Sequence, residues 1–142
     1  MDQIKKCGEK DYPALVDIWE RSVRASHTFL SEKDITEFRE AMIPVYFPNV
    51  DLYCIADRDT IAGFIGLSGN MIEMLFIDDS LRGKGYGSRL LKHAISLGAN
   101  SVDVNEQNPL ALEFYKAKGF HIISRDEHDM DGNAFPILHL SL

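Results

Sequence analysis

The run Arg82-Gly83-Lys84-Gly85-Tyr86-Gly87-Ser88 holds the residue types best suited to chemistry. Glycines at 83, 85 and 87 let the backbone turn sharply and remove side chains that would cover its amides. Such amides can converge on one point beside the positive end of a helix beginning near Gly85, forming a nest for a pyrophosphate. Arg82 and Lys84 would add charge to that nest. The same run also reads as a glycine-rich turn that only joins a strand to a helix, and its spacing leaves both readings open. Two other phosphate loops are excluded. A dinucleotide fingerprint needs Gly-x-Gly-x-x-Gly, and position 88 is Ser. A Walker loop needs Gly-Lys-Ser/Thr, and Gly83-Lys84-Gly85 lacks the hydroxyl.

Elements on both sides must hold this loop in place. Asp2 to Cys7 reads as a short first strand. Leu15, Ile18, Trp19, Ser22 and Val23 fall at helical spacing, with Asp11 and Pro13 as start signals. Ser31 with Asp34 forms a capping box before Ile35, Phe38, Met42 and Ile43, and Pro44 ends that helix. The stripes carrying Trp19 and Phe38 read as core rather than as ligand platforms. Leu52–Ala56 and Ile61–Leu67 flank the turn Asp57-Arg58-Asp59 as a hairpin, and Met71–Ile77 continues the meander. Leu90, Leu91, Ala94, Ile95 and Leu97 give a helix stopping at Gly98. Ser101–Asn105 is a strand. Asn108 caps a helix with Pro109 in its first turn and Gly119 beyond its last. Phe120–Ser124 and Phe135–Leu140 close the sheet around the turn Asp131-Gly132-Asn133. The order is β-α-α-β-β-β-α-β-α-β-β, read as one domain over residues 1–142, without repeats or linkers.

Composition narrows the function classes. A net charge of −7 argues against nucleic acid as a partner, because phosphate binding needs clustered cations. It leaves room for a phosphate-bearing cofactor held by a helix N-terminus, and for a cationic acceptor. No apolar run approaches the roughly 20 residues that span a bilayer. Met1 to Lys6 carries no apolar stretch of a secretory leader, so a cytoplasmic address is expected. Cys7 and Cys54 have no CxxC spacing and read as reduced core or strand residues. His93, His121, His128 and His139 show no metal-ligand spacing, so no metal is expected.

Two segments, in order, resemble a known superfamily. Leu75-Phe76-Ile77 followed by Arg82-x-x-Gly85-x-Gly87 resembles motif A of the GNAT superfamily of N-acetyltransferases. Asn108-x-x-Ala111-x-x-Phe114-Tyr115-x-x-x-Gly119-Phe120 resembles motif B, so the likeness runs over residues 60–121. Outside the motifs, Ser22-Val23-x-Ala25-Ser26-His27-x-Phe29-Leu30, Asn105-Glu106-Gln107-Asn108 and Asp131-Gly132-x-x-x-Pro136-x-Leu138-x-Leu140 are similar to the YjaB-like small bacterial members.

The resemblance implies an α/β (α+β) fold with a mixed, mostly antiparallel twisted sheet. About seven strands, split by a V-shaped cleft, would be flanked by about four helices. Acetyl-CoA would be the co-substrate, its pantetheine pairing with the backbone of Leu75, Phe76 and Ile77. Its pyrophosphate would rest on Arg82, Gly83, Lys84, Gly85, Tyr86, Gly87 and Ser88, and a backbone amide near Phe76 would polarise the thioester carbonyl. Asn105 and Asn108 are further cofactor contacts, Asn108 with the competing task of helix cap.

Direct transfer to an amine needs the amine neutral, and a lysine-like amine titrates near 10.4. Departing thiolate needs a proton donor. Tyr115 matches the superfamily's acid, against the alternative of an aromatic packed on the sheet. The base is open between Glu73, which strand alternation puts on the face of Leu75 and Ile77, and His27, in the region lining the acceptor pocket with Phe29 and Leu30. Glu106 is a further candidate.

The expected partners are acetyl-CoA and an amine of a small molecule or protein, with the chain a monomer or homodimer. A non-catalytic acyl-CoA sensor and a general nucleotide-binding protein are the competing readings. Acetyl-CoA binding without turnover would mark the first, and NAD or ATP binding without acetyl-CoA the second.

Overall fold

Helical periodicity and strand alternation resolve into seven β-strands and four α-helices in a computed structural model of the chain, which describes residues 4–129 and 132–142. This is the α/β class expected. Asp2, Gln3 and Asp131, assigned above to the first strand and the last turn, lie outside the described residues. The chain forms two units, Met1–Ala99 and Asn100–Leu142.

The first unit contains β1 (Ile4–Lys6), α1 (Tyr12–Ser26), α2 (Glu32–Ala41), β2 (Asp51–Asp57), β3 (Thr60–Ser68), β4 (Met71–Ile77) and α3 (Tyr86–Ser96). Its strands lie in the order β1-β2-β3-β4, each antiparallel to the next. The stripe read from the sequence is the buried face of α1: Leu15, Ile18, Trp19, Ser22 and Val23 are all inside. Burying a Val, Leu or Ile side chain contributes about 1.5–3 kcal/mol, so this face fixes α1 against β3 and β4. Phe38 packs on the same core, as does Phe47, whose ring meets Phe64 edge-on at 5.9 Å. The Ser31–Asp34 capping box forms, with each side chain accepting the other's backbone N–H at 3.0 Å.

Pro44 does not stop the chain from coiling. Regular α2 ends at Ala41, and Met42–Tyr46 continues as a π-helical turn that accommodates the proline's missing N–H. Cys7 and Cys54 are distant in sequence but adjacent between β1 and β2. The Cys7 thiol is pushed far above its usual range by its hydrogen bond to Cys54 and by burial.

The second unit contains β5 (Ser101–Asn105), α4 (Pro109–Ala117), β6 (His121–Asp126) and β7 (Ile137–Ser141), with strands in the antiparallel order β5-β7-β6. Both late strands begin a residue or two beyond their expected starts. Phe120 donates its N–H to Tyr115 O at 3.0 Å, which closes the end of α4 around Gly119 and withholds Phe120 from β6. Pro136 has no N–H for a ladder, so β7 starts after it.

His139 on β7 lies between two carboxylates, Nδ1 2.6 Å from Asp103 and Nε2 2.6 Å from Asp126. Only the imidazolium donates from both nitrogens, and Asp126 and then Asp103 raise the histidine above its ordinary value of 6.5. A raised folded-state pKa contributes stability that is complete below the unfolded value and lost as pH rises through the folded one. The group is partly exposed, so the contribution is on the scale of a surface pair, about 0–1 kcal/mol. His139→Gln is therefore expected to lower the melting temperature at about pH 6 and to differ less from the parent as pH rises. A difference that grew with pH in thermal melts would refute this ion-pair account.

Candidate active site

The glycine loop joins the end of β4 to α3 through two left-handed residues, Gly83 (φ 78°) and Gly85 (φ 83°), conformations that L side chains enter only with strain. Gly85 is the residue before the first turn of α3, and no side chain caps that turn. The first internal bond of α3 runs from Arg89 N–H to Gly85 O at 3.1 Å. Helix geometry thus leaves the amides of Tyr86, Gly87 and Ser88 without a carbonyl of α3 to bond. A Cβ built at Gly83 would meet nothing within 4 Å, so open space lies in front of the loop. Tyr86 turns its ring inward, 5.2 Å from the Arg89 guanidinium, and offers the loop face only its backbone. The two cations are exposed, with Arg82 Nε 3.7 Å from Asp79 and Lys84 Nζ 3.7 Å from Asp57. Pairs of that length and exposure are weak, and an anionic ligand can exchange for either partner.

On β4, Leu75, Phe76 and Ile77 pair with Ile65, Phe64 and Gly63 of β3. The approach at Gly63 is close: a Cβ there would lie 2.7 Å from Phe76 O, so only glycine lets β4 sit at this depth. The register passes from Gly66↔Met74 directly to Leu67↔Ile72, which makes Glu73 the extra residue of a β-bulge. Strand alternation therefore does not determine the face of Glu73, which is no longer tied to that of Leu75 and Ile77. Glu73 is exposed.

His27 follows the last residue of α1, half-buried, with its ring 5.4 Å from Phe29 and 6.4 Å from Phe76. The structure thus brings His27 and β4 together within the first unit. Burial first, and the positive charge of Arg82 second, push its pKa down from 6.5 to about 4. It does not titrate in the neutral range expected of a histidine base. Leu30 is half-buried against the core of the first unit, so its side chain supports α1.

In the second unit, Tyr115 is 5% exposed, its ring edge-on to Phe114 at 5.1 Å and to Phe120 at 5.4 Å. Burial pushes its phenol above the usual value, so it holds its proton throughout the physiological range. Asn105 Oδ1 accepts the Gln107 N–H at 2.8 Å, and Asn108 Oδ1 accepts the Ala111 N–H at 3.4 Å as the cap of α4. Arg125 holds Glu106 in a two-pronged ion pair and lowers its pKa, so that carboxylate is already engaged.

Sequence reasoning passes over Arg21 and Asp78. Asp78 is buried at the end of β4 and accepts from Arg21 Nε at 3.3 Å and Nη2 at 2.7 Å, which ties α1 to the strand end. An Asx-type turn, Asp78 with Ser80 two residues on, is the available sign. A cleft of 740 Å³ opens here, lined by Arg21, Arg24, Ala25, Asp78, Asp79 and Ser80. Among the described residues no helix is long and apolar enough to cross a membrane, and no three His, Cys, Asp or Glu side chains are grouped to hold a metal.

The sequence matches the family model of the acetyltransferase (GNAT) domain over residues 17–136. It is 39% identical over 140 residues to the peptidyl-lysine N-acetyltransferase YjaB of Escherichia coli, covering 97% of this chain and 95% of that protein. Identity to the Salmonella typhimurium protein of the same name is 37% over 142 residues, covering 99% and 97%. The solution structure of apo YjaB from Escherichia coli superposes with a TM-score of 0.91 at 38% identity, over 99% of this chain and 97% of that one. Family match, near-full-length identity and fold agree: the chain belongs to the GNAT acetyltransferases and is an acyltransferase.

Proposed function

We propose that the protein is an acetyl-CoA-dependent N-acetyltransferase whose acceptor is the side-chain amine of a lysine in a polypeptide. The near-full-length likeness to two enzymes named peptidyl-lysine N-acetyltransferases carries this reading of the acceptor. The glycine loop supports the co-substrate, since its open face and the amides at the start of α3 fit a pyrophosphate. On this reading residues 1–142 act as one domain, working as a monomer or homodimer in the cytoplasm.

The bound thioester supplies an acyl group activated for attack by an amine. Arg82 and Lys84 exchange their surface carboxylates for phosphate oxygens, while the backbone of Leu75, Phe76 and Ile77 lines the pantetheine arm. Gly83 to Ser88 present amides to the pyrophosphate, and Asn105 and Asn108 are further cofactor contacts on this reading. A backbone N–H near Phe76 stabilises the developing oxyanion. Tyr115 donates its proton to the sulfur as the carbon–sulfur bond breaks, the nitrogen loses its surplus proton to solvent, and solvent returns a proton to the phenolate. His27 and Phe29 form the acceptor side, with Leu30 packed on the core of the first unit, and the exposed carboxylate of Glu73 attracts an ammonium group.

The deciding measurement is mass spectrometry on lysine-containing peptides incubated with acetyl-CoA, run beside polyamines, amino acids, aminoglycosides and peptide N-termini with free-thiol release as readout. Acetylation at lysine Nε is expected to exceed every other acceptor. Turnover confined to a small amine would move the acceptor to that class. Binding with no turnover at all would make the chain an acyl-CoA sensor.

A further inference from the structure

The last turn of α1 contains a hydrogen-bond constraint that bears on the acceptor site. Ser26 Oγ lies 2.8 Å from the carbonyl oxygen of Ser22 and also 2.8 Å from His27 Nδ1. A serine hydroxyl has one hydrogen, and a carbonyl oxygen can only accept. Ser26 therefore donates to Ser22 O, and the contact with His27 is bonded only if Nδ1 carries the imidazole proton. In a neutral ring the lone pair then belongs to Nε2.

We propose that Ser26 is a positioning residue that holds His27 in the Nδ1–H tautomer, so that Nε2 accepts a hydrogen bond from the acceptor amine beside Phe76. The proposal rests on the acetyltransferase reading above. The ring stands against Phe76 of the cofactor strand, and its own helix is fixed by the buried stripe of α1 and by the Arg21–Asp78 clamp. Arg82, from the glycine loop, is the charged group whose field reaches the ring, and with burial it keeps the imidazole uncharged. An imidazole titrating near 4 does not take a proton from an amine titrating near 10.4. Its task is to align an N–H of the neutral amine and so direct the nitrogen lone pair at the thioester carbon. Proton removal from the ammonium form is left to solvent, and kcat/KM should rise with pH towards the amine's own pKa.

The test combines a tautomer measurement with kinetics on the full chain. Long-range proton–nitrogen correlation NMR on ¹⁵N-labelled protein is expected to show His27 protonated at Nδ1, and Ser26→Ala to shift the population towards Nε2–H. Ser26→Ala should lower kcat/KM for a lysine peptide about fivefold, the scale of one neutral hydrogen bond, with the KM for acetyl-CoA unchanged. Ser26→Thr should restore both tautomer and rate, and His27→Gln, whose amide oxygen replaces Nε2, should retain more activity than His27→Ala. An Nε2–H tautomer in the parent, or an unchanged tautomer in Ser26→Ala, overturns the proposal. An active parent whose Ser26→Ala variant keeps its full rate does so too. A parent that acetylates no lysine peptide refutes the functional reading instead, and the tautomer measurement still decides the role of Ser26.

Discussion

Gly85→Glu is expected to abolish measurable acetyl-CoA binding while leaving the protein folded. Space is not the issue at this position: the nearest atom to a Cβ would be Arg89 Nη2 at 3.8 Å. The φ of 83° costs a non-glycine residue about 1–2 kcal/mol, which Gly85→Ala measures alone. A carboxylate at the start of α3 is favourable for the helix, because the positive end of its dipole attracts anions. That attraction is what the pyrophosphate is proposed to use, and the glutamate would occupy its place with a charge of the same sign. Strain alone gives Gly85→Ala a loss of about thirtyfold or less, whereas charge and bulk together should cost Gly85→Glu more than about a hundredfold. Titration calorimetry against a circular-dichroism melt separates binding from folding. Equal affinities for the parent and Gly85→Glu would show that the pyrophosphate lies elsewhere.

How far the amino-acid sequence discloses fold and site depends on the range of the interactions. Local signals are legible: the α1 stripe, the Ser31 cap and the strand limits of β4 and β5 appear where periodicity and capping chemistry put them. The chemistry at the site depends instead on contacts between distant segments. Arg21 and Asp78 stand 57 positions apart, and neither has a neighbour in sequence that announces the other. His27 carries the residue type of a neutral-range base, yet its pKa is set by burial behind α1 and by Arg82, which no spacing rule conveys. The bulge at Glu73 interrupts a period of two that the sequence shows unbroken from Glu73 to Ile77. Ser26 is visible in the sequence only as part of a resemblance, and its meaning comes from two simultaneous 2.8 Å contacts.

Tyr115→Phe should reduce turnover by about a hundredfold or more while leaving acetyl-CoA affinity nearly unchanged. The ring sits between Phe114 and Phe120, and phenylalanine keeps both edge-on contacts, so the substitution removes only the hydroxyl. Any loss of rate then reports on the proton and not on packing. Burial raises the phenol above its ordinary value near 10, which holds the acid protonated at every pH where an amine acceptor is becoming neutral. The parent's rate should accordingly keep rising on the alkaline side with the amine's deprotonation, without a fall from loss of the acid's proton below about pH 10. In Tyr115→Phe the rising limb should survive at a lower plateau, because the amine titration does not involve Tyr115. Stopped-flow thiol release across the pH range, with acetyl-CoA affinity measured in parallel, tests both statements. Equal plateaus for parent and variant would remove Tyr115 as the acid and leave its ring as part of the core. A variant that lost cofactor affinity in proportion to rate would make the hydroxyl a binding group instead.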